Sequence, residues 1–190
     1  MSENLYMFAI VPPTDLGTEI DGLRHEFSEN FKCYKALKPP VHITLFPPFK
    51  TNSDIEQKIL LLQKWAGQQL PFTLKLNNFN FFENRNNPVL FIDIIKNEQL
   101  TNLHSGFLRQ IKSYLPGMEI DKSPYRPHFT IGYRDITPEM MPEIKKAYVH
   151  RSFVRSFEVK NIHFWKHDTK NWQNRHEFTF ADNSVIQSLF

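Results

Sequence analysis

Disulfide chemistry is closed to this chain: its 190 residues include one cysteine, Cys33, so neither an internal bridge nor a CxxC metal or redox site can form. A reducing, cytoplasmic location is expected. Long apolar runs are missing too, and no stretch approaches the roughly 20 residues of a bilayer-spanning helix, so no membrane association is expected. The opening residues, MSENLYMFAIVPP, lack a basic n-region, and their apolar segment is too short for a secretion signal. Strong charge of either sign is absent. A net charge of +3 and a pI near 8.9 suit a phosphate-bearing partner but fall short of the basic footprint of a duplex DNA binder.

What is present is a soluble, core-forming composition: 41% hydrophobic, 23% charged and rich in phenylalanine, with 18 residues. Such large apolar pieces build a core without crosslinks. The length suits one domain over residues 1–190, made of two interleaved lobes, and a monomer with no obligate protein partner is expected.

Along the chain, Leu5 to Val11 predicts a buried strand stopped by Pro12 and Pro13. Thr14 is placed to cap a helix with Leu16, Ile20, Leu23, Phe27 and Phe31 on one stripe. A strand over Val41 to Phe46 is closed by Pro47 and Pro48, and Ser53 with Glu56 forms a capping-box pattern for a helix carrying Ile55, Ile59, Leu62 and Ala66. Phe72 to Phe82 and Val89 to Ile95 flank the turn signal ENRNNP as a hairpin. A helix from about Asn97 to Leu115 follows, with Leu100, Leu103, Phe107 and Ile111 inward. Then come the strand RPHFTIGYR, a helix near Thr137 to Val149, and a hairpin from Phe153–Lys166 and Arg175–Phe180 around HDTKN. The second half repeats the element order of the first. This predicts an α+β fold, a bilobal pseudo-twofold repeat in which each lobe is an antiparallel-rich sheet with helices on its outer face.

Two of these strands carry polar residues where a core is expected. In KPPVHITLFPPF, His42 and Thr44 share one face while Val41, Ile43 and Leu45 share the other, and in RPHFTIGYR the same holds for His128 and Thr130 against Phe129 and Ile131. The apolar faces cover helices and the polar faces line a central cleft. The bare pattern H-x-[ST] is weak, since eight histidines yield about one match by chance. Four occur here, but those at His150 and His167 lack an apolar middle residue and a strand context. A lone match is more often a polar pair at a sheet edge. A matched pair in matched contexts, each following a proline, points instead to a shared site.

Two imidazoles across a cleft suit cleavage of a phosphodiester, above all a cyclic one. One, neutral, removes a proton from water or a hydroxyl, and the other, protonated, gives one to the departing oxygen. Thr44 and Thr130 are placed to donate hydrogen bonds to the non-bridging phosphate oxygens. No metal and no cofactor is expected.

The doubled motif, HITL and HFTI, with the repeated element order, resembles the two-histidine (2H) phosphoesterase superfamily, which includes bacterial 2′-5′ RNA ligase-like proteins and cyclic phosphodiesterases. The resemblance implies metal-independent action on 2′,3′-cyclic phosphates or 2′-5′ linkages of an RNA terminus or a nucleotide, with ligation as a reverse reaction. Carried over by motif, it implies His42 as proton donor, His128 as acceptor, and Thr44 and Thr130 as phosphate holders. The competing expectation is a non-catalytic RNA- or nucleotide-binding protein using the same cleft.

Strict alternation adds three candidates: Phe46 on the His42 face as a base platform, Gly132 as its counterpart leaving room for a ligand, and Arg126 on the His128 face as a phosphate contact. His163, Trp165 and His167 share a face of their strand as an exposed or cleft-side stripe. They lack the glutamate of a zincin pattern and are not expected to hold a metal. Lys32, Lys35 and Lys38 form a solvated loop or a basic lip before the first motif. Cys33 is read as a small, partly buried residue with no catalytic partner.

Overall fold

A computed structural model of the chain describes residues 4–51, 55–121 and 123–182. Its strands are β1 (Asn4–Ile10), β2 (Ile43–Thr51), β3 (Phe72–Phe82), β4 (Val89–Ile94), β5 (His128–Tyr133), β6 (Val154–Val159), β7 (Asn161–His167) and β8 (Trp172–Thr179). The helices are α1 (Thr14–Phe31), α2 (Ile55–Ile59), α3 (Leu62–Ala66), α4 (Glu98–Tyr114) and α5 (Met141–Tyr148). The fold is α+β, as expected. All pairings among the described residues are antiparallel within one eight-stranded sheet of order β6-β3-β4-β5-β2-β1-β7-β8. The two motif strands, β5 and β2, therefore meet at the centre, with three strands outside each.

The helices form where an apolar stripe recurs every three or four residues. In α4 the buried residues Leu100, Leu103, Phe107 and Ile111 make that stripe, and Asn97 caps the helix by accepting from the Leu100 N–H. In α1, Pro13 rather than Thr14 is the capping position, and a charged residue, Arg24, sits on the buried stripe beside Ile20 and Phe27. The helix expected after residue 52 is broken into α2 and α3, with Ile55, Ile59, Leu62 and Ala66 still buried. Ser53 of its capping box lies outside the described residues.

One face of the sheet takes the helices. Tyr6, Phe8 and Ile10 of β1, Ile43 and Leu45 of β2, and Phe129 and Ile131 of β5 join the helical stripes in one core. Each buried phenylalanine there contributes roughly 1.5–3 kcal/mol of transfer free energy. On the opposite face, among the described residues, the buried apolar side chains are few: Met7, Ala9 and Trp165, with Val11 and Trp172 against them, and Phe91 beside His128.

The final hairpin departs from the expected Phe153–Lys166 strand. The segment is two strands parted at Lys160, with β6 pairing β3 at one end of the sheet and β7 pairing β1 near the other. In a flat sheet those positions, six strands apart, would lie roughly 29 Å from each other at about 4.8 Å per strand. Val159 and Asn161, however, are joined by a single residue. The sheet is therefore strongly curled, and its curl creates the concavity that the helix-free face lines.

Candidate functional site

The site is assembled by one backbone pairing. β2 and β5 share the register pair Ile43↔Phe129, both residues fully buried toward the helices. Continuing that antiparallel register by one residue on either side sets His42 opposite Thr130 and Thr44 opposite His128. Together with the i, i+2 spacing within each strand, this makes a four-cornered array on the helix-free face. The two histidines stand on its diagonal, their Cα atoms about 7–8 Å apart by sheet geometry.

Each histidine is oriented by the same device. His42 Nδ1 lies 2.7 Å from the Pro40 carbonyl oxygen, and His128 Nδ1 lies 2.7 Å from that of Arg126, two residues back in both cases. A carbonyl only accepts, so Nδ1–H is the donor in both rings and the neutral imidazoles present an unprotonated Nε2. At His42 that nitrogen accepts from the Thr44 hydroxyl at 3.2 Å. Behind the first ring, the buried Arg24 donates to the Pro39 carbonyl at 2.7 Å and to Asp21 at 3.0 Å, holding the segment that presents Pro40.

The surroundings of the two rings differ. His42 meets Trp165 edge-on at 5.4 Å, whereas His128 sits against Phe82 and Phe91, both at 5.0 Å. Burial disfavours the charged form of both. It pushes His42 down to about 4, and Arg24 and His128 add positive charge against it. His128 is also lowered by burial, but the Arg126 carbonyl and the Asp93 carboxylate, which faces it across the β4–β5 ladder, pull the other way.

Two cavities converge here. One, of about 230 Å³, is lined by Thr44, Phe46, His104, Tyr125, Arg126 and His128 among others. The other, of about 340 Å³, includes His42, Thr44 and Thr130. Thr44 lines both, so each imidazole opens on a different cavity and the hydroxyl stands at their junction. Tyr125 closes part of the first, its hydroxyl donating to the Thr44 carbonyl at 3.1 Å and its ring stacked on His104 at 3.7 Å.

The sequence-predicted residues His42, Thr44, His128 and Thr130 are thus brought together. Arg126 is exposed beside them, its guanidinium 5.9 Å from the Phe82 ring centre. Phe46 and Gly132 require correction. Ala9 pairs Thr44 but Phe8 pairs Phe46, so β2 spends an extra residue at Leu45. Phe91 pairs Thr130 but Leu90 pairs Gly132, so β5 does the same at Ile131. Each slip reverses the alternation. Phe46 therefore packs mainly into the core, 3% exposed and against Phe49 and Phe107, and reaches only the wall of the smaller cavity, and a side chain at Gly132 would clash with the Phe27 ring instead of meeting a ligand.

β2 also continues past Pro47 and Pro48 to Thr51. The two prolines sit in a second register slip, between Phe46 and Phe49, where no ladder donor is needed. The stripe of His163, Trp165 and His167 is on the cleft side, since Ala9 pairs both Thr44 and His163. Cys33 is buried, its thiol pushed up to about 11 by desolvation, and it donates to the Phe31 and Asp135 carbonyls.

Sequence reasoning missed Asp93 and Arg24, although a lone charge in an otherwise apolar strand or helix stripe was a readable signal for each. Among the described residues no cluster of three His, Cys, Asp or Glu side chains is arranged to hold a metal, and no helix is long and apolar enough to cross a membrane.

A family model described as the 2′-5′ RNA ligase superfamily matches residues 12–171 of the chain. Among solved structures, TT0787 of Thermus thermophilus superposes with a TM-score of 0.68 at 18% identity, over 95% of this chain and 99% of that one. E. coli LigT complexed with 3′-AMP gives 0.67 at 18% identity, over 95% and 100%. Usb1 of Kluyveromyces marxianus is more distant, at 0.51 and 10% identity over 93% and 97%. These likenesses are of fold. No curated protein sequence matches the chain.

Proposed function

The chain belongs to the 2′-5′ RNA ligase superfamily, and on that premise we propose that it is a phosphodiesterase that opens 2′,3′-cyclic phosphates or cleaves 2′-5′ linkages at RNA ends or in nucleotides. The observation that carries this reading is the four-cornered array of His42, Thr44, His128 and Thr130 on the helix-free face, with both Nδ1 atoms held by backbone carbonyls. On this reading the phosphate sits on the diagonal at the junction of the two cavities, between the two Nε2 atoms, with the threonine hydroxyls at its non-bridging oxygens.

In the hydrolytic direction, water attacks phosphorus, one imidazole takes the water's proton, and the bond to a ribose oxygen breaks as the other imidazole protonates that oxygen. Burial lowers both rings, but the surroundings favour His128 as the one that more readily takes up a proton, because Asp93 lies beside it while Arg24 opposes charge on His42. Water activation by His42 and leaving-group protonation by His128 use that distribution as it stands. This reverses the roles implied by the sequence resemblance, and ligation would reverse them again. As phosphate charge builds, Thr44 turns its hydroxyl from His42 to the non-bridging oxygen, which frees Nε2 at the moment it must act.

The test is turnover of 2′,3′-cyclic nucleotides and of a short RNA ending in a cyclic phosphate, with EDTA present, for the wild type, His42→Ala and His128→Ala. Hydrolysis lost in both variants supports the reading. A wild type inactive on all of them that binds the RNA as tightly as both variants do refutes it in favour of a non-catalytic nucleotide-binding cleft.

A further inference from the structure

The larger cavity extends well past the four-cornered array, and its walls differ in chemistry. On one side stand Met7, His167 and Trp172; on the other, Lys38, Tyr133 and Arg134. Among the described residues that line it there is no aspartate or glutamate. Its third cation, Arg24, is buried and ion-paired with Asp21, which leaves Lys38 and Arg134 to set the potential at the mouth. The smaller cavity carries Asp121 beside Arg126 and is the poorer host for an additional anion.

Lys38 and Arg134 are far apart in sequence and are brought to one wall by a specific contact. Asp135 Oδ2 accepts from the backbone N–H groups of Tyr34 at 2.7 Å and Lys35 at 2.8 Å. This docks the single 3₁₀ turn Lys35–Leu37, which leads into Lys38, against the end of β5. Arg134 itself has φ = +66°, a backbone region that residues other than glycine seldom occupy, and its guanidinium lies 5.1 Å from the Tyr133 ring centre. Strain kept at a cavity wall by neighbouring hydrogen bonds is a pattern of binding sites.

We infer that this cavity is a subsite for a second phosphate, one nucleoside removed from the scissile one, with Lys38 and Arg134 receiving that phosphate and Trp172 receiving the base. The inference rests on the phosphodiesterase reading and narrows its substrate to a nucleotide carrying two phosphates. The ring on one wall and the two cations on the other match the two ends of such a nucleotide, an apolar π-face and a dianion.

Calorimetric binding of adenosine 3′-monophosphate and adenosine 3′,5′-bisphosphate tests it without requiring turnover. In the wild type at about 0.1 M salt, where exposed charges beyond about 10 Å are screened, the bisphosphate binds at least about tenfold tighter, the scale of a charge-assisted contact pair. In the double variant Lys38→Ala/Arg134→Ala that ratio falls toward one. Lys35→Ala removes the same charge outside the cavity wall and leaves the ratio in place, while Trp172→Ala weakens both ligands together.

Equal binding of the two ligands by the wild type, a ratio that survives the double variant, or one lost equally in Lys35→Ala overturns the subsite. Turnover of adenosine 2′,3′-cyclic phosphate on the same preparations separates the two claims. Turnover with equal binding sinks the subsite alone, whereas a phosphate-dependent ratio without turnover of any cyclic phosphate sinks the hydrolase reading and leaves the subsite standing. A dinucleotide with a 3′-phosphate and a 5′-hydroxyl assigns the source: a gain over adenosine 3′-monophosphate points to the chain phosphate of RNA, and a gain confined to the bisphosphate points to a free nucleotide.

Discussion

The strand that bears His42 and the strand that bears His128 share a backbone and differ in their neighbours. Both fix the ring through a carbonyl two residues back, both bury the residue between His and Thr, and both slip register by one residue immediately after the threonine. Around that common device one ring has Arg24 and Trp165 and the other has Asp93, Phe82 and Phe91. Repeating a backbone gives two equivalent imidazoles. It takes unlike neighbours to make one an acid and the other a base.

The largest effects test the equivalence. His42→Ala and His128→Ala are each expected to lower kcat/KM on a cyclic nucleotide by about 10²–10⁴-fold, and the double variant by little more than either alone, because the pair acts as a unit. A double variant whose loss is the product of the two single losses would mean that the rings work independently.

Next in size are the residues after the slips, where one strand supplies a ring and the other makes room for one. Phe46→Ala is expected to cost about 3–5 kcal/mol in urea unfolding. Gly132→Ala should cost about 1–3 kcal/mol by overpacking against Phe27. A neutral Phe46→Ala would show that the ring does not serve the core.

Smaller again is the pH response. With both histidines lowered from 6.5, kcat/KM should follow a bell lying on the acid side of pH 6.5, with its acid limb near 4 from His42. Asp93→Asn should move the alkaline limb to lower pH and leave the acid limb where it is. A shift in the acid limb instead would assign Asp93 to the wrong ring.

The smallest effect is on how stability varies with pH. Below pH 6.5 the unfolded chain takes up protons that the folded histidines refuse, so stability is full above that pH and falls as pH drops toward 4. The urea midpoint of His42→Asn should decline less between pH 7 and 5 than that of the wild type.

The parts legible in the sequence were those set by local period. Leu100, Leu103, Phe107 and Ile111 announce α4, and the alternation through His42–Thr44 and His128–Thr130 announces the site. The slips at Leu45 and Ile131 were not legible, because a bulge is fixed by what the partner strand offers, here Phe8 and Leu90, and those partners are distant in sequence. Phe46 and Gly132 were misplaced for that reason alone. The break at Lys160 leaves only a slip in phase: Phe157 and Val159 are buried, then Ile162 and Phe164, so the alternation shifts by one residue where the chain passes from one end of the sheet toward the other. Element order also does not say which strands pair, so the placement of β3 and β4 beside β5, and of β7 and β8 beside β1, was not legible.

That passage at Lys160 bears on how the molecule is made. On the ribosome, β3, β4 and β5 emerge in succession and can pair with one another as they appear. β3 still waits for β6 on its other side, and β1 has β2 on one side and waits for β7, made later still, on the other. Until residues past 160 have been synthesised, the strand beside the first motif keeps an open edge, the kind that invites pairing with another nascent chain. The half of the sheet that carries His42 begins first and is completed last.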